Sequence, residues 1–128
     1  MTGIEVTVRT TVNPTESFEK VETAVRNVLG EINLDSSSQG DITILEGHYS
    51  GLDSLRFLRD LLRRMRIRDA AHALFTRSAQ EGLLSFGLNK QAAYTGRVSF
   101  YRSREAPLGP IQIIVVGDID SVVIYLCE

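Results

Sequence analysis

Stretches that alternate apolar and polar side chains recur along this chain, and three pairs of them are joined by short turns or loops instead of crossover helices. Parallel neighbours need a connection of a dozen residues or more, whereas antiparallel ones need as few as two. The pattern therefore predicts an α+β fold, an antiparallel or mixed sheet of about five or six strands with helices packed on one face. In GIEVTVRTTV, Ile4, Val6 and Val8 alternate with Glu5, Thr7 and Arg9, as a strand with one buried face requires. INL and DITILEGHYS flank DSSSQG, whose composition suits the turn of a hairpin. GLLSFGL and GRVSFYR repeat the alternation, with NKQAAYT between them as a short turn or one helical turn. APLGP, stiffened by two prolines, leads into the strand IQIIVV.

Helical spacing interrupts these strands. Phe18, Val21, Val25, Val28 and Leu29 recur at intervals of three and four, with Ser17 or Thr15 able to cap the helix and Gly30 placed to end it. From Leu52 a second helix sets Leu55, Leu58, Leu61, Leu62 and Met65 on one side and Arg56, Arg59, Arg63 and Arg66 roughly opposite. At about 100° per residue, the same rod would carry Ile67, Ala70, Ala71, Leu74 and Phe75 round to the arginine side. One straight helix cannot bury both sets, so a kink or break is expected between Met65 and Asp69. DIDSVVIYLCE fits either a helix capped by Asp118 or Asp120 or a strand, and the helix is preferred.

A chain of 128 residues fits one domain with a real core. Its longest apolar runs are far too short to cross a bilayer, its N-terminus lacks the regions of a signal peptide, and its single cysteine cannot form an internal disulfide. A cytoplasmic location with no membrane partner is the expectation. The formal charge of −2 hides a division: residues 1–55 carry nine acidic and three basic side chains, residues 56–104 three acidic and eleven basic, and residues 105–128 four acidic and none basic.

Little here supports catalysis. His48 and His72 have no cysteine or histidine at ligand spacing beside them, and phosphate-binding GxxxxGK, dinucleotide-binding and GxSxG patterns are missing. Asp118 and Asp120 suit a helix N-terminus better than a cation site. Cys127 has no neighbouring base in sequence. The expectation is a protein without catalytic activity, cofactor or metal.

Arginine offers a permanent charge and five donors in a planar fork that matches phosphate oxygens. Charge runs usually solvate an outer helix face, but Asp60 is the one acid among residues 54–68, and the positive excess continues through Arg77, Lys90, Arg97, Arg102 and Arg104. Tyr94 and Tyr101 lie among these later charges, and an exposed tyrosine can stack on an unpaired base. Alternation should bury Phe100.

The segments LRRMRIRDAAHALF, LNKQAAYTGRVSF and PLGPI resemble a family of small archaeal proteins of uncharacterised role that are labelled as candidate RNA binders. The likeness covers nearly the whole chain except about its last fifteen residues. It implies a fold similar to the ribosomal protein that binds the small RNA of the large subunit, and a link to RNA processing or the exosome. The matching positions are Arg63, Arg64 and Arg66, then Asn89, Lys90 and Gln91, then Gly96, and Pro107 through Ile111. Asn89 and Gln91 suit a functional contact and the satisfaction of turn backbone equally well.

The leading expectation is a non-catalytic RNA-binding protein. Arg56, Arg59, Arg63, Arg66 and Lys90 would hold phosphates, Tyr94 and Gln91 would touch bases, and Arg64, Arg97 and Arg102 would extend the surface. The alternative is an interaction module whose basic helix docks an acidic protein surface, including that of a second copy in a homodimer. A hydrolytic or metal-dependent enzyme using Asp118 and Asp120 is a third reading.

Overall fold

The computed structural model describes residues 3–101 and 109–128. Five strands form one sheet in the order β2-β3-β1-β5-β4, where β1 is Glu5–Val12, β2 Asp35–Gln39, β3 Ile42–Ser50, β4 Leu83–Asn89 and β5 Pro110–Val116. Every pairing is antiparallel. Five helices accompany it: α1 Phe18–Leu29, α2 Arg56–Arg64, α3 Arg68–Ser78, α4 Lys90–Tyr94 and α5 Ile119–Leu126. None of the described helices is long and apolar enough to cross a membrane.

Period-two alternation in the strands sorts side chains onto two faces. Val6 and Val8 lie opposite Val115 and Ile113, which lie opposite Leu84 and Phe86 in turn. All six are buried, and α1, α2, α3 and α5 close over them with Val25, Val28, Leu58, Leu62, Ala71, Phe75, Val122 and Leu126. Phe75 meets Phe86 at 4.8 Å between ring centroids and Phe100 edge-on at 5.8 Å. Burying a side chain of that size contributes roughly 2–3 kcal/mol, so this trio is a principal anchor of α3 on β4. Glu5, Thr7 and Arg9 take the other face of β1, in register with Ser50, His48 and Glu46.

Two expectations need correction. The hairpin after α1 is real, but its first strand is the serine stretch itself, Asp35–Gln39, and INL lies outside the sheet. As an edge strand with all five side chains exposed, β2 needs no apolar residue, and the turn falls on Gly40, whose φ of 65° suits a two-residue hairpin loop. The segment after α4 is also not a full strand. Among the described residues it makes one bridge, Leu88 with Phe100, and main-chain bonds from Asn89 to Ser99 and from Tyr101 to Gly87. Among the described residues the sheet therefore has five strands.

The other elements follow their signals. Ser17 caps α1, accepting from the Lys20 N–H at 3.4 Å. The chain breaks between α2 and α3 at Met65–Ile67, which lets each helix bury its own apolar side. The final segment is a helix with Asp118 as its cap.

Candidate nucleic-acid interface

Helix α2 buries Leu58, Leu61 and Leu62, which sends its arginines outward. They do not form one free row. The Arg59 side chain is only 19% exposed; it lies 3.2 Å from Asp60 and 3.3 Å from Glu128, with its guanidinium 4.6 Å from the Tyr125 ring centroid. Arg63 donates through Nε and Nη2 to the Glu128 main-chain oxygen, both at 3.2 Å. Tyr125 near the end of α5 and Glu128 just beyond it thus engage two arginines, and Arg59 is tied into the fold. That partnership spans 69 residues and leaves no local mark in the sequence. Arg56 sits at the other end of α2, in a cleft of about 390 Å³ that also has Glu31, Asp53, Asp60 and Phe57 in its wall.

Past Arg63 the bend carries three more arginines. Arg64, Arg66 and Arg68 are exposed, and their guanidinium groups have no hydrogen bond or ion pair among the described residues. The Arg66 N–H donates to the Arg63 carbonyl at 3.1 Å and the Ile67 N–H to the Leu62 carbonyl at 3.2 Å, the two bonds of a Schellman helix end. That motif puts Arg66 at a φ of 59°, where a residue with a Cβ costs about 1–2 kcal/mol. Arg63, Arg66, Arg68 and Asp69 line a niche of about 340 Å³.

The α4 turn corrects a second assignment. Lys90 is buried, its Nζ 3.0 Å from a Glu16 carboxylate oxygen and 2.5 Å from the Thr11 carbonyl. Placed at the start of α4, it lies at the base of the groove between α1 and α4 with its ammonium turned to these partners, so little of it is open to phosphate. Asn89 caps α4, accepting from the Ala92 N–H at 3.0 Å. Gln91 and Tyr94 do face solvent and line an open groove of about 370 Å³ between α1 and α4. Lys20, from the acidic first third of the chain, lines the same groove with its Nζ 5.9 Å from the Tyr94 ring centroid. Nothing in its local sequence sets it apart from other exposed helix lysines.

Arg97 connects the two regions. Its side chain is exposed, and the following Val98 N–H donates to Met65 Sδ at 3.2 Å, holding this segment against the end of α2. Asn27 donates to the carbonyls of Ala93 and Tyr94, fixing the end of α4 to α1. Arg102, Arg104, Pro107 and Leu108 lie outside the described residues.

The remaining chemistry-bearing groups have ordinary local roles. His48 meets Thr7 and Glu46 on the strand face away from the core. Asp118 accepts from the Ser121 N–H and hydroxyl, as a cap does. Among the described residues no three His, Cys, Asp or Glu side chains gather as a metal-ligand set. Burial pushes the Cys127 thiol up, outweighing the opposite pull of Arg68. Cys127 should therefore react with a disulfide reagent at pH 8 more slowly than a free thiol, which a timed absorbance assay would read. Reaction at the rate of free cysteine would contradict its placement.

Known proteins bear on these surfaces. A UPF0201 protein of Aeropyrum pernix is 41% identical over 114 residues, covering 88% of this chain and 76% of its own length. One from Thermococcus onnurineus is 37% identical, covering 87% of this chain and 81% of the relative. The crystal structure of the UPF0201 protein from Methanococcus jannaschii superposes with a TM-score of 0.83 at 28% identity, covering 97% of this chain and 99% of that one. Residues 5–116 match the family model described as RNA binding, so the chain belongs to that family, whose members above carry the name UPF0201.

Proposed function

We propose that this protein binds RNA without catalysis or cofactor of its own, through a ridge that runs from the α2–α3 bend past Arg97 to the groove between α1 and α4. The observation that carries this reading is the set of exposed guanidinium groups at Arg64, Arg66, Arg68 and Arg97 that lack hydrogen-bond and ion-pair partners among the described residues. An arginine without a protein acceptor keeps its whole fork for phosphate oxygens. Tyr94 and Gln91, exposed at the far end of the ridge, suit stacking and base-edge contacts. Arg56 and Arg63 stand at its margin, while Lys90 and Arg59 support it from within. The RNA-binding family model is consistent with this reading. A role in RNA processing, and the fold likeness to the ribosomal protein that binds the small RNA of the large subunit, belong to the same proposal.

Four phosphates of a single strand neutralised by the ridge should give a log–log dependence of affinity on salt with a slope of about −3. Fluorescence anisotropy with a labelled single-stranded RNA between low and physiological salt measures it. Affinity that does not respond to salt would overturn the ridge mechanism.

A further inference from the structure

We infer that the α2–α3 bend is a seat for one phosphate group, held by Arg63, Arg66 and Arg68, and that arginine occupies position 66 for the sake of that contact. The inference deepens the RNA-binding reading and rests on it for the source of the phosphate.

Three guanidinium groups line the niche beside a single carboxylate, Asp69. Their formal charges leave an excess of +2. A phosphate diester carries −1 and a terminal monoester about −1.5 to −2 near neutral pH, so either would be drawn in. The niche is also organised before any ligand arrives. Two bonds to the Glu128 main-chain oxygen hold the Arg63 fork, with Nη1 outside those two bonds. The helix-end bonds at Arg66 and Ile67 fix the backbone from which the second guanidinium projects. Arg68 opens α3, whose N-terminus receives no side-chain cap. Donors held in place lose less freedom when an anion binds.

Position 66 supplies the decisive argument. A left-handed residue after a helix of this type is usually glycine, which adopts the conformation without a steric penalty. Here the chain carries arginine at a φ of 59°, with no partner for its guanidinium among the described residues. Glycine would make the same two helix-end bonds without the strain, so among the described residues no contact calls for an arginine side chain here, whereas a bound anion would. Strained backbone tends to be retained at functional positions, where the stabilising alternative is one substitution away.

The test is Arg66→Gly, a change that the fold should welcome. Thermal unfolding should shift upward by about 2–5 °C, while affinity for a single-stranded RNA oligonucleotide should fall about tenfold. The oligonucleotide is used in 5′-phosphorylated and 5′-hydroxyl forms. Equal loss for both assigns the seat to an internal diester, and loss confined to the phosphorylated form assigns it to a terminal monoester. Inorganic phosphate titrated into the wild type should shift the Nε–H resonances of Arg63, Arg66 and Arg68. If the wild type binds both RNAs and Arg66→Gly and Arg68→Gln bind them as tightly, the seat is wrong and the RNA reading stands. If the wild type binds neither RNA but responds to phosphate at those resonances, the seat stands and the RNA reading fails.

Discussion

Glu16→Ala is expected to lower the free energy of unfolding by about 3–5 kcal/mol, the usual range when one member of a buried ion pair is removed. In the native protein the Glu16 and Lys90 side chains are 9% and 7% exposed and meet at 3.0 Å. Glu16 also accepts from the Asn13 main-chain N–H at 3.0 Å and from its side-chain amide at 2.7 Å. Truncation would take this carboxylate from the Lys90 ammonium and deprive Asn13 of that acceptor. An apolar pair removes the uncompensated charge, although Asn13 and the Thr11 carbonyl still each lose a partner, so Glu16→Leu combined with Lys90→Met should recover part of the loss. Urea denaturation of the two singles and the double gives the coupling directly. Should Glu16→Ala fail to fold, Glu16→Gln keeps an acceptor for Asn13 and should unfold measurably below the wild type. Wild-type stability in both single variants would mean that the pair is not buried as described.

Reversing charge at the ridge should act on binding and leave the fold intact. Arg64→Glu with Arg97→Glu removes two phosphate contacts and places two carboxylates against the RNA, so affinity near 0.1 M salt should fall about a hundredfold, with the salt slope shallower by about 1.4. Both residues are exposed, and surface changes of this kind usually move stability by less than about 0.5 kcal/mol. Arg59→Gln makes the opposite prediction. Its guanidinium ties α2 to Asp60, Tyr125 and Glu128, so thermal stability should drop while RNA affinity stays near the wild-type value. Anisotropy titrations paired with thermal melts distinguish the two cases. A large affinity loss in Arg59→Gln, or none in the Arg64 and Arg97 pair, would move the binding surface elsewhere.

Much of the architecture was legible because it depends on local periodicity. The strands around Val6, Phe86 and Ile113, the helix from Phe18, the break near Met65 and the capped helix at the end all follow from spacing within one segment. The serine strand was not, because an exposed edge strand carries no apolar signature and its composition matches a turn. The segment around Val98 alternates like a strand, yet its apolar positions are drawn partly to Met65 and the Phe75 cluster. At the candidate site the sequence shows the arginines of residues 54–68 as an excess of charge with Asp60 as the one acid among them. The burial of Lys90 was not legible, because its acidic partner lies 74 residues earlier and leaves no local signal. Lys20 and Glu128 shape the surface from distant segments for the same reason.

The serine strand has a consequence for how the molecule behaves in a crowd. A sheet margin offers unsatisfied amides and carbonyls to any neighbour, and apolar margins recruit further strands into aggregates. Asp35–Gln39 offers those groups with no greasy area behind them and one carboxylate in front. A strand arriving there would strip water from hydroxyls and gain almost no hydrophobic contact, so this rim resists fibril growth by its chemistry alone.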